Sequence, residues 1–182
     1  MSDYTGSNTP VEIRDLWRTP LELYAALDAE FNFVGDVAAS HLNHLHPAFL
    51  TKEDDALSAD WFDSFGAGYL WCNPPYSDIT PWVNKAIEAT FNGNGVVMLV
   101  PADPSVGWFK LAREHATEIR FITGGRISFV RADTGLTVNG NNKGSMLIIF
   151  NHMRRGAGLT SFVDRDGLMT YGAASIKLGM AS

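Results

Sequence analysis

Residues 96–100 read Val-Val-Met-Leu-Val, a run with no polar side chain to turn toward water. A strand of this kind is covered on both faces, as in parallel sheets whose crossover helices pack on each side. The flanking sequence agrees. Thr80-Pro81 predicts a helix start, with Val83, Ala86 and Ile87 on one face and Gly93 and Gly95 beyond its end. Asp103-Pro104 predicts a second helix carrying Trp108, Phe109 and Ala112. Upstream, Thr19-Pro20-Leu21-Glu22 predicts a helix with threonine at the N-cap, proline at N1 and glutamate at N3. Apolar stretches at 31–37, 69–72, 119–122, 127–130 and 146–150 predict further strands. Residues 162–163 and 168–171 around Arg165-Asp166-Gly167 predict a terminal hairpin. Together they predict an α/β fold in three layers, with a mostly parallel sheet and an antiparallel edge. Residues 1–15 are polar and aperiodic and predict a flexible arm, leaving 16–182 as one domain.

Composition narrows the setting. With 46% hydrophobic and 19% charged residues among 182, the chain is an ordinary globular one. No apolar run approaches the roughly 18 residues of a membrane span. The opening MSDYTGSNTP has neither the basic nor the apolar part of a signal peptide. Cys72 is the single cysteine, so there is no internal disulfide and no cysteine-built zinc site, and a reducing cytoplasm is expected. The net charge of -6 is unevenly spread: residues 1–106 hold 4 Lys+Arg against 15 Asp+Glu, whereas 107–155 hold 8 against 3. That second stretch is either a basic face for a polyanion or chance clustering on solvated faces.

The chemistry concentrates in Trp71-Cys72-Asn73-Pro74-Pro75-Tyr76, where an apolar strand runs into Asn-Pro-Pro-Tyr. The amino nitrogen of adenine is a poor nucleophile because its lone pair is delocalised into the ring. Two acceptors gripping its hydrogens, the Asn73 side-chain oxygen and the next carbonyl, would favour a more tetrahedral nitrogen and aim its lone pair at a methyl donor. Pro74 and Pro75 fix φ and remove competing N–H donors. Tyr76 offers a flat surface for an extruded base. Asparagine acts here by position and electrostatics, not as a base. The plain alternative is a proline turn after a strand.

This motif is similar to that of amino-group methyltransferases. The wider series resembles the phage-type DNA N6-adenine methyltransferase family over about residues 15–150. It comprises Trp17-Arg18-Thr19-Pro20, Asp36-Val37-Ala38-Ala39, Asp55-Ala56-Leu57 with Trp61, the 71–76 segment, Val100-Pro101-Ala102 and Gly125-Arg126-Ile127-Ser128-Phe129. The resemblance implies a Rossmann-like class I methyltransferase fold, S-adenosylmethionine as donor and double-stranded DNA as substrate. It also implies that Asn73, Pro74, Pro75 and Tyr76 surround the target adenine. For the cofactor it implies Trp17, Thr19, Pro20, Asp36, Ala38, Asp55 and Asn73. The chain departs from the usual Gly-x-Gly cofactor loop, having only Gly35 before Asp36.

Several residues have a plainer reading. Asp36 could be a solvated strand end, Asp54 and Asp55 an acidic turn, Thr19 a helix cap, and Trp17 a core residue. Arg126, Arg131 and Lys143 are candidate DNA contacts, with an ion pair the alternative for Arg126. Arg154-Arg155 is a weaker signal of the same kind. His41, His44 and His46 lack a carboxylate to complete a metal site, and no metal is expected. The competing functions are the same chemistry on an RNA base or a protein glutamine, or a non-catalytic nucleic-acid-binding module.

Overall fold

The computed structural model describes residues 17–131, 134–138, 143–154 and 158–180; the expected arm at 1–15 lies outside these, as does Arg155. The described chain is a mixed α/β structure in three layers. Its strands are β1 (Trp17–Arg18), β2 (Phe33–Asp36), β3 (Gly68–Cys72), β4 (Asn94–Pro101), β5 (Glu118–Thr123), β6 (Phe129–Arg131), β7 (Thr137–Val138), β8 (Ser145–Phe150) and β9 (Leu159–Asp164). The helices are α1 (Leu21–Phe31), α2 (Trp61–Phe65), α3 (Thr80–Asn92), α4 (Gly107–His115) and α5 (Arg165–Met180).

A six-stranded sheet runs in the order β2-β3-β4-β8-β5-β9, and a small sheet β1-β6-β7 stands beside it. Strand alternation sorts the side chains into two cores. Val96, Met98 and Val100 of β4 join Val83, Ala86 and Ala112 on the α3/α4 face. Val97 and Leu99 join Leu23, Tyr24 and Leu27 of α1, with Leu168 and Met169 of α5, on the other. The unbroken apolar run of β4 is therefore a central strand, as its sequence demands.

Three expectations are corrected. The sheet has no antiparallel edge: β8 is antiparallel to both β4 and β5 and lies between them, while the edge strand β9 runs parallel to β5. The terminal hairpin is instead a strand and a 16-residue helix, α5. Asp164 Oδ2 accepts from the Gly167 N–H at 2.8 Å, so the apparent turn is a helix start. Gly172 lets α5 close on α1, since a Cβ there would meet the Glu22 carbonyl oxygen at 1.7 Å. Helix α4 begins at Gly107, later than expected, because the Asp103 carboxylate turns back onto Ser105.

Candidate active site

The Asn-Pro-Pro-Tyr segment leaves the carboxyl end of β3, between β2 and β4, the edge where α/β sheets present ligands. Asn73 Nδ2 donates to Thr19 Oγ1 at 3.2 Å, which ties the segment to the entry of α1. The other half of the amide is left over: Asn73 Oδ1 is buried with no hydrogen-bond partner. The pairing corrects the reading of Thr19. No side chain caps α1, whose N-cap is Pro20, so proline stands one position before N1. Thr19 is 1% exposed and uses its hydroxyl on Asn73 instead. The local sequence mimics a cap, and the partner 54 residues away decides otherwise.

Close to Thr19 and Asn73 in sequence, Trp17 and Tyr76 both pack on Phe129. Tyr76 meets the Phe129 ring edge-on at 6.2 Å, and Trp17 stacks on Phe129 at 6.0 Å. Phe129 sits in β6, which pairs with β1 and so carries Trp17 to the site. Trp17 Nε1, Arg18 Nε and the Tyr76 hydroxyl are also buried without partners. Burial pushes the Tyr76 phenol well above its ordinary value, so it stays a neutral donor. Arg18 was not singled out from sequence. Its signal was its place between Trp17 and Thr19.

At the end of β2 the polar groups are already occupied. Asp36 is 3% exposed, and its carboxylate accepts from the Leu45 N–H at 3.1 Å and the Ala38 N–H at 3.3 Å. Desolvation pushes its carboxyl up to about 7 against the opposing pull of these amides. It is thus not a solvated strand end, and its two accepted hydrogen bonds anchor the loop at 37–50. Gly35 faces the Phe65 ring, which a Cβ would overlap at 2.2 Å, so its small size serves packing against α2. In the acidic turn, Asp54 is held by the Thr51 N–H at 2.8 Å and the Thr51 hydroxyl at 2.7 Å. Asp55 is exposed at φ 50. Trp61 donates to the Ala56 carbonyl at 2.7 Å, fixing this turn to α2.

His44 stacks on Phe49 at 4.2 Å and His41 meets the same ring edge-on. Among the described residues no group of three His, Cys, Asp or Glu side chains is placed to hold a metal. The basic stretch is partly spoken for. Arg120 binds Glu30 and Glu118, and Lys143 pairs with Asp103, holding that carboxyl down at about 2. Arg131 is tied into β6, its N–H bonded to the Leu136 carbonyl. Arg126 is exposed on an open cleft with Pro20, Ser128, Arg165 and Asp166, and Arg165 donates to its carbonyl at 3.0 Å.

The sequence profile of the family described as DNA N-6-adenine-methyltransferase (Dam) matches residues 6–175. The chain belongs to the DNA N-6-adenine-methyltransferase family. A DNA N-6-adenine-methyltransferase of Escherichia phage T1 is 38% identical over 168 residues, covering 84% of this chain and 69% of that protein. One from Haemophilus phage HP1 (strain HP1c1) is 37% identical over 149 residues, covering 80% and 84%. A putative methyltransferase of Escherichia coli (strain K12), YfdM, is 35% identical over 74 residues, 39% of this chain and 77% of its own length. No helix among the described residues is long and apolar enough to cross a membrane.

Proposed function

We propose that the chain transfers a methyl group from S-adenosylmethionine to N6 of an adenine flipped out of double-stranded DNA, with the base held by Asn73, Pro74, Pro75 and Tyr76. The observation that carries this reading is the divided amide of Asn73: its nitrogen is engaged by Thr19 and its oxygen is buried and unfilled. A buried acceptor without a partner is a standing cost unless a ligand supplies the donor. The N6 amine of adenine is such a donor.

Orientation and electrostatics do the work. Asn73 Oδ1 takes one N6 hydrogen and the Pro74 carbonyl the other, turning the nitrogen lone pair toward the methyl group. Thr19 sets the rotation of the amide, so it positions Asn73 in addition to lining the cofactor side. The Tyr76 ring, backed by Phe129, stacks on the base. When bound, S-adenosylmethionine supplies an electrophilic methyl group on a sulfonium.

The residues present fit such a cofactor. Trp17 Nε1 and Arg18 Nε are buried donors without partners, and its carboxylate and adenine ring nitrogens are acceptors. Asp55, in its exposed turn, is the acidic side chain offered to its ribose or amino group. Ala38 and Pro20 contribute small and apolar surface, and Asp36 acts indirectly by holding the loop. Arg126, Arg131 and Lys143 remain the proposed DNA contacts, Arg126 foremost because it is exposed beside an open cleft and Lys143 last because Asp103 already balances its charge. The whole forms one Rossmann-like domain over 16–182, working in a reducing cytoplasm where Cys72 stays a buried thiol.

The test is incubation with labelled S-adenosylmethionine and duplex DNA, with RNA and protein acceptors in parallel. Product nucleosides are then resolved by mass spectrometry. N6-methyladenine in DNA is the expected product. Label found only on cytosine, RNA or glutamine would overturn the reading.

A further inference from the structure

Ser145 opens β8 opposite Pro101, the last residue of β4. Because β8 is antiparallel, its first residue lies at the same edge of the sheet as the ends of β3 and β4. Leu147 and Ile149 face the α1/α5 core, while Met146, Ile148 and Phe150 face the other. The two-residue period therefore puts Ser145 on the α1/α5 side. That is the side from which Thr19 reaches Asn73. Ser145 is 2% exposed, and its hydroxyl is buried with no hydrogen-bond partner. A threonine or valine would pack better in a strand, and alanine would avoid the unmet hydroxyl. No hydrogen bond of the fold uses this oxygen.

The sheet order gives it a use. Strand β2 and its loop, on the cofactor side of the proposed reaction, flank β3 on one side; β4 and β8 flank it on the other. A base whose amine sits at Asn73 and faces a donor on the β2 side extends toward β4 and β8. Adenine then has only acceptors left to offer, its ring nitrogens N1, N3 and N7, and a serine hydroxyl can donate to one of them. We infer that Ser145 is a specificity-determining residue for the target base, its hydroxyl donating to a ring nitrogen of the adenine whose N6 lies at Asn73. The inference rests on the adenine reading above.

The experiment uses duplexes in which the methylated adenine is replaced by 1-deaza-, 3-deaza- or 7-deazaadenine. Each keeps the exocyclic amine and lacks one ring acceptor. Wild-type protein should lose about tenfold in kcat/KM on one of the three, the size of one neutral hydrogen bond. Ser145→Ala should lose about tenfold on adenine and nothing further on that same analogue. Its melting temperature should equal or exceed the wild type, since an unpaired buried hydroxyl has been removed. Ser145→Cys, a weaker donor of similar shape, should fall between the two and provides the same test should the alanine variant not fold. Equal wild-type rates on all three analogues would overturn the inference. So would variant activity within twofold of wild type, or losses from variant and analogue that multiply. A wild type that methylates no adenine at all would instead overturn the functional reading beneath it.

Discussion

The neighbouring strands β2 and β3 carry a polar residue at the same edge of the sheet, Asp36 as the last of β2 and Asn73 just after β3, and the fold treats the two in opposite ways. Asp36 spends its carboxylate on the amides of its own loop. Asn73 engages one half of its amide and leaves the other buried and open. Asp36 organises its own loop, whereas Asn73 has a buried acceptor still open to a ligand at the ligand edge of the sheet. Position at the ligand edge of a sheet does not separate these cases. The tally of hydrogen bonds does.

Mutating each end should therefore give opposite signatures. Asn73→Ala should lower kcat by 10²–10³, about 3–4 kcal/mol, the usual loss for one well-placed transition-state donor or acceptor. Binding of S-adenosylhomocysteine, read from the shift in melting temperature, should be nearly unchanged. Asn73→Asp should be milder, because a carboxylate still accepts from N6 and Thr19 can reverse its hydroxyl to donate. An Asn73→Ala enzyme within a few-fold of wild type would erase the distinction between the two strand ends.

Asp36→Ala should act on stability instead, leaving the Leu45 and Ala38 amides without their acceptor at a cost of about 2 kcal/mol. Its effect on cofactor binding should follow through the loop at 37–50. The same carboxyl gives a pH signature. Its folded value, about 7, lies above the ordinary carboxylate value of the unfolded chain. The native state thus holds a proton that the unfolded state has released. Its contribution is fully present below about pH 4 and is lost as pH rises toward 7. The melting temperature of wild type minus that of Asp36→Asn should fall between pH 5 and 7 and level off above. A flat difference would mean that Asp36 is ionised throughout.

Thr19 sharpens the comparison because it belongs to Asn73, not to the helix. Thr19→Val keeps the shape and removes the hydroxyl, so it should lower kcat by up to tenfold with little change in stability, while Thr19→Ser should retain most activity. A helix cap would behave in reverse, losing about 1 kcal/mol of stability with turnover intact.

These positions also mark how far the sequence can be read. The buried run at 96–100 and the strand-to-Asn-Pro-Pro-Tyr junction are local signals, and the structure has a central strand at the first and a strand end just before the second. Thr19 was misread because Thr-Pro-x-Glu satisfies every local rule for a helix start, and its true partner is distant in sequence. Arg165-Asp166-Gly167 looks like a turn, yet the 16-residue helix that follows gains its stability from packing on α1, which the local pattern does not carry. The insertion of β8 between β4 and β5 is a matter of topology, and no residue in β8 announces its neighbours. The use of Asp36 by an amide nine residues on was equally silent.

The smallest effect concerns the basic stretch, where the same contrast between completed and open groups applies. Lys143 is committed to Asp103, whereas Arg126 stands exposed beside the cleft with Arg165. Each phosphate contact adds about 0.9 to the slope of log affinity against log salt. Arg126→Ala should therefore reduce the slope by roughly one unit across DNA sequences, with turnover at saturating DNA largely kept. Lys143→Ala should change it by much less, because its charge is already balanced by a carboxylate that would have to be displaced first. The measurement is DNA binding by fluorescence anisotropy at several salt concentrations for both variants. A one-unit loss on Lys143→Ala with none on Arg126→Ala would show that the Asp103 pair opens onto DNA, and that an ion pair in the free protein does not mark a residue as structural.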